Sequence, residues 1–167
     1  MIHDPVERGR ALGRFHAEVA PRLFRDLDEA GLLSDVARGR SREWDCFALY
    51  ACVRGLVAAG GFNRETAAAI DALHATALAA WTERSPAGET SEARRALIAE
   101  RYAEYGAIGQ AEEASGPAAL TRRLGEAAAR HLAHPAPASP ELIEMVGALH
   151  EALAEGASEA VRRGVTA

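Results

Sequence analysis

An all-α fold, a compact bundle of five to seven helices joined in antiparallel hairpins, is predicted by three features of the sequence. Alanine is the dominant apolar residue while Val, Ile, Thr and aromatic residues are sparse, a balance that favours helix over strand. Apolar side chains recur three or four residues apart through long segments, and none alternates at the strand period. Proline and glycine stand where those segments begin and end.

The first segment opens with "DPVE": Asp4 suits the N-cap, Pro5 the first helical position and Glu7 the capping box. Its predicted buried face is Leu12, Phe15, Val19, Leu23 and Leu27. Pro21 is expected to kink or divide this helix and Gly31 to end it. "LLSDVAR" reads as a short turn or helix. Ser41 then starts a second helix through Trp44, Phe47, Tyr50, Val53 and Val57. "GGFN" stops it, Asn63 caps the next, and so short a break predicts an antiparallel hairpin. The third helix offers Ile70, Leu73, Ala77 and Trp81 to the core.

"RSPAGETS" is the longest loop-like stretch, a possible seam at residues 84–91 within one domain spanning residues 1–167. Thr90 or Ser91 caps a fourth helix, which "SGP" ends, and Pro117 opens a fifth carrying Leu120, Leu124 and Leu132. After the rigid turn "HPAPASP", Ser139 and Pro140 open the last helix. Its stripe of Leu142, Val146, Leu149 and Leu153, followed by the small residues Gly156 and Ala160, makes a long docking edge.

At 167 residues the chain is long enough to bury a substantial core. A net charge of −5 argues against a general nucleic-acid binder, whose footprint is a basic face. Arg54 interrupts "CFALYACVRGLVAAGGF", so no apolar run approaches the ~20 residues of a membrane span. The opening "MIHDPVERGR" lacks the basic-then-apolar layout of a signal peptide, and a cytoplasmic location is expected. All basic side chains are Arg and none is Lys, a usage expected of a GC-rich bacterial genome. The arginines are scattered rather than gathered for anion binding. Cys46 and Cys52 stand about 9 Å apart along one helix, beyond the ~7 Å reach of a disulfide, and read as small core residues.

The segment "RYAEYGAIGQ", residues 101–110, holds two of the three tyrosines and two glycines inside a predicted helix. An interior glycine costs about 1 kcal/mol relative to alanine, so its presence calls for a reason. Ile98, Tyr102, Tyr105, Gly106 and Gly109 share one helical face, with Arg95 and Glu113 at its ends. Such a face suits a core contact in which another helix approaches over the glycines. The alternative is a groove for a small apolar or planar ligand, second to the core contact by the default rule that apolar helical stripes are core. Over these ten residues the segment resembles the glycine-containing distal helix of haem oxygenases, without that helix's consecutive glycines. The resemblance implies a haem-facing surface, with His16 of the N-terminal helix in the place of the iron-binding histidine. The remainder of the chain carries no matching motif.

Other chemistry finds little footing. His131 and His134 share a helical face, but they lie in a last turn where a histidine gains from the helix dipole, and no third ligand is identifiable. His16, His74 and His150 read as hydrogen-bonded residues at the edge of the core. There is no GxSxG, P-loop, GxGxxG or HExxH. The helix after "GGFN" is too apolar to read bases as a helix-turn-helix would. Arg54 either lays its stem along the core or pairs with Asp45, Glu104 or Glu144.

The function expected is that of a non-catalytic bacterial helical protein acting through protein–protein interaction, either self-association as a homodimer or contact with a regulatory partner. Leu142, Val146, Leu149 and Leu153 are its candidate interface. The alternative is a helical small-molecule-binding protein or enzyme, its pocket lined by Tyr102, Tyr105, Gly106 and Gly109. No catalytic residue, metal site, cofactor, nucleic acid or membrane partner is expected.

Overall fold

The computed structural model describes residues 4–84, 88–112 and 114–163. Seven helices follow one another among them: α1 (Pro5–Glu29), α2 (Asp35–Arg38), α3 (Ser41–Gly60), α4 (Arg64–Arg84), α5 (Ser91–Ala111), α6 (Pro117–Ala133) and α7 (Pro140–Arg163). The fold is an all-α bundle. Its helix starts follow the expected chemistry. Asp4 accepts from Val6 N, Asn63 from Thr66 N, Thr90 from Ala93 N and Ser139 from Leu142 N, each satisfying an amide that the first turn leaves unpaired.

α3 is the central element. Trp44, Cys46, Phe47, Leu49 and Cys52 are buried on different sides of it, as expected of a helix covered all round. It joins two hydrophobic clusters. One gathers Leu27, Trp44, Phe47, Tyr105, Leu124 and Val146; the other gathers Leu12, Leu49, Leu56, Leu73, Trp81 and Ile98. Each cluster draws on residues from both sides of 84–91, so the core does not divide at that stretch. Residues 85–87 of the expected seam lie outside the described residues. Glu89 and Arg94 tie its far side back: Arg94 donates to Thr82 Oγ1 at 2.8 Å and Arg42 pairs with Glu89 at 2.5 Å. Both cysteines are free and buried, and burial pushes the Cys52 thiol up to about 12. No described helix is long and apolar enough to cross a membrane.

Two elements differ from expectation. α1 is continuous through Pro21 rather than divided there. Proline removes the amide that would bond the Ala17 carbonyl, and Arg84 Nη1, at the end of α4, donates to that oxygen instead at 2.7 Å. The buried face of α1 is Gly9, Leu12, Gly13, His16, Ala20 and Leu27, while Phe15 is 38 % exposed. Here α1 and α4 run parallel and very close. A Cβ on Gly9 would lie 2.8 Å from the Ala69 carbonyl carbon and 2.9 Å from Ala72 Cβ; one on Gly13 would lie 2.6 Å from Thr76 Cβ. Glycines four apart let the helices touch backbone to side chain, and that contact turns the helix.

The last helix brings a further correction. Leu142, Val146 and Leu153 are buried in the first cluster with Leu149 packed against it. α3 and α6 cover the stripe expected to be an interface. Gly125 of α6 and Gly147 of α7 face one another at this crossing, where a Cβ on Gly125 would lie 2.6 Å from the Ile143 carbonyl oxygen.

Candidate functional site

A cleft of about 1280 Å³ opens between α3, α5 and α7. Tyr50, Val53 and Val57 form its α3 wall, Gly106 and Gly109 its α5 wall, and Ala152, Gly156 and Ser158 its α7 wall. Phe62 stands at the rim beyond the end of α3. The charged lining residues are Arg54, Glu151, Glu155, Glu159 and Arg162.

The glycines explain why the cleft exists. Away from helix ends, the described helices carry two kinds of glycine. A Cβ on Gly9, Gly13, Gly55, Gly125 or Gly147 would meet atoms of another helix at 3.0 Å or closer. A Cβ on Gly106, Gly109 or Gly156 would meet nothing within 4 Å. All three open glycines lie on the wall of this one cleft. Elsewhere in the molecule a mid-helix glycine marks a helix crossing; here no helix is present to cross.

The tyrosines of the same segment face the core. Tyr105 is fully buried, its ring 5.1 Å from Phe47 and 5.4 Å from Tyr50. Burial raises its hydroxyl pKa, and that hydroxyl has no hydrogen-bond partner among the described residues. The Tyr102 hydroxyl lies 3.0 Å from His74 Nε2. Neither tyrosine lines the cleft; Tyr50 of α3 stands between them and it. Of the residues expected together in a pocket, the structure therefore brings Gly106 and Gly109 to the cleft and sets Tyr102 and Tyr105 beneath it. Arg95 is exposed on α5, and Glu113 lies outside the described residues.

Charged and polar side chains hold the α5 wall in place. Arg101 meets Glu43 of α3 through two parallel bonds, 2.7 Å from Nε and 2.9 Å from Nη2, with both side chains largely buried. This fork geometry, charge-assisted and bidentate, raises the already high pKa of the guanidinium. At the other end of the wall Glu104 accepts from Arg130 and lies 2.6 Å from His131 Nε2, joining α5 to α6. His131 thus has a carboxylate partner, and His134 is exposed beyond the helix end. Among the described residues no three His, Cys, Asp or Glu stand close enough to hold a metal ion. Arg54 pairs at 3.1 Å with Glu151, two turns along α7 from Glu144 and none of the three partners expected, and Glu151 also accepts from Thr121.

Two buried histidines flank α3. His16 Nε2 donates to the Asp45 carbonyl at 3.0 Å, and His150 Nδ1 donates to the Phe47 carbonyl at 3.1 Å. Burial lowers their pKa values to about 4 and about 3. His16 is 2 % exposed on the α1 side of α3 and lines no part of the cleft. The glycine face and the histidine that the haem oxygenase resemblance would pair are therefore not brought together. Ser158 lines the cleft, but its hydroxyl is buried and has no hydrogen-bond partner among the described residues.

Sequence reasoning missed Phe62, which is 95 % exposed, and the spacing of Gly9 and Gly13, a signal that was available. No family model, curated protein or solved structure matches this chain.

Proposed function

We propose that this protein is a non-catalytic binding module whose α3/α5/α7 cleft receives a helix of another protein chain. One observation carries the reading: Gly106, Gly109 and Gly156 lie open on a single cleft, while the other mid-helix glycines each sit under a neighbouring helix. Helices approach most closely over small residues, and an open apolar groove is how a protein accepts an amphipathic helix.

The test uses Gly106→Leu and Gly109→Leu. A Cβ at either position meets nothing within 4 Å and leucine has a better helix propensity than glycine, so each variant should keep or raise the melting temperature. Each should nevertheless lose association, read by affinity capture and light scattering beside the wild type. Equal association of wild type and variants, or a wild type that is monomeric at high concentration with nothing co-purifying, overturns the proposal.

A second reading, a small apolar ligand in the same cleft, is favoured by the Tyr50 ring on its wall. Native mass spectrometry separates the two: a retained small mass, lost in Gly109→Leu, would select it.

A further inference from the structure

Asp45 is buried, yet its carboxylate makes no hydrogen bond among the described residues. Its one ion pair there is with Arg84 Nη2 at 4.0 Å, beyond hydrogen-bond reach. Asp45 is held in this position through its backbone, because His16 Nε2 donates to its carbonyl at 3.0 Å. Arg84 is held by Pro21's neighbourhood. Its Nη1 is engaged by the Ala17 carbonyl that the proline leaves open, while Nη2 has no hydrogen-bond acceptor among the described residues. An acceptor and a donor of opposite charge, each lacking a hydrogen bond, therefore stand side by side where α1, α3 and α4 meet.

Both lie on the wall of a cavity of about 300 Å³. No described residue lines both this cavity and the α3/α5/α7 cleft, so the two are separate sites. Pro21 and Phe24 of α1 and Trp81 of α4 form its apolar sides. The other carboxylate on the wall, Glu89, is already held by Arg42 at 2.5 Å and by Arg94 at 3.3 Å. That leaves Asp45 as the acceptor to be filled. Burial pushes its carboxyl up to about 6, because the charged form is kept from water. The volume lies at the lower end of small-molecule sites, which run from about 300 to 1,000 Å³.

The wall selects the chemistry of the ligand. A simple cation would meet Asp45 and be repelled by Arg84, and a simple anion would meet the reverse. A molecule with an ammonium and a carboxylate satisfies both through charge-assisted hydrogen bonds. In a free α-amino acid one carbon atom carries the two groups, which keeps them as close together as Asp45 and Arg84 are. We propose that this cavity binds a free α-amino acid with an apolar side chain. Its ammonium donates to Asp45, its carboxylate accepts from Arg84 Nη2, and its side chain lies against Pro21, Phe24 and Trp81.

A melting-temperature screen of leucine, isoleucine, valine, methionine and phenylalanine on the full chain, then calorimetric titration of the best, tests it. At least one should bind. Its amide, which lacks the carboxylate, and its deaminated acid, which lacks the ammonium, should each bind at least tenfold more weakly. That comparison needs only the wild type. Asp45→Asn keeps the size of the side chain and removes the buried charge, so it should keep its helicity and weaken the amino acid at least tenfold. In a nitrogen-15 NMR titration the Trp81 indole signal should move and the Gly106 and Gly109 amides should stay. Three results would each overturn the proposal: no binding of any of the five at millimolar concentration, equal binding of either analogue or by Asp45→Asn, or shifts gathered at the two glycines.

Discussion

Gly9 and Gly13 on α1 and Gly106 and Gly109 on α5 are the same residue at similar helical spacing, in opposite surroundings. On α1 the missing side chains are replaced by α4, whose Ala69, Ala72 and Thr76 fill the space. On α5 the space stays open and lines the cleft. The backbone cost of glycine is similar in both places, but only on α1 does tertiary contact within the chain offset it. The difference teaches that a mid-helix glycine announces close approach, and leaves undetermined which chain approaches.

The largest test of this contrast is Gly9→Ala. Its Cβ has no room against the Ala69 carbonyl carbon at 2.8 Å, so overpacking should cost about 2–3 kcal/mol, measured by urea denaturation. A loss smaller than the gain from the equivalent change on α5 would break the comparison.

Acid probes the other contacts that close the molecule around α3. His16 and His150 are held neutral by burial, with pKa values of about 4 and about 3 against an ordinary 6.5. The unfolded chain takes up these protons first, so their contribution is complete above pH 6.5 and is lost as pH falls toward 4. Asp45 acts in the opposite sense, because burial pushes its carboxyl up to about 6 and the folded chain then binds that proton more readily. With two groups against one, stability should fall by about 1–1.5 kcal/mol per pH unit between pH 6 and 4. Denaturation midpoints that stay level over that range would mean the imidazoles are solvated.

Arg84→Met should cost about 1 kcal/mol, because it leaves the Ala17 carbonyl without the donor that Pro21 cannot supply. Calorimetry would show it as a lower melting temperature, and an unchanged value would mean that water serves this partly exposed oxygen equally well. The smallest expected effect has the opposite sign. Gly106→Ala should stabilise the isolated chain by up to about 1 kcal/mol, since its Cβ meets nothing and alanine is the better helix former. A destabilised Gly106→Ala would mean that the cleft is more crowded than its geometry.

Legibility in the sequence followed the range of the interaction. Caps were readable because Asp4, Asn63, Thr90 and Ser139 act on amides two or three residues away. On α1 the expected Leu12 and Leu27 are buried and Val19 and Leu23 pack against the core, but a periodicity count gives weight to the exposed Phe15 and none to Gly9 and Gly13, which have no side chain to count. Of the candidate site, Gly106 and Gly109 were legible as a surface that makes room. Phe62 was hidden inside a turn motif that accounted for its neighbours and left the ring itself unexamined.

The sequence by itself determined the helices, their order, most of their ends and the amphipathic stripe on α7, since propensity, capping and spacing act within a few residues. Only the tertiary structure decided what covers each face. It placed Leu142 to Leu153 under α3 and α6, set α4 over Gly9 and Gly13, and left Gly106 and Gly109 bare. The physical reason is that burial belongs to pairs of helices far apart in the chain. A face is complete as a pattern before it has a partner, and the pattern does not say whether the partner is in the same chain.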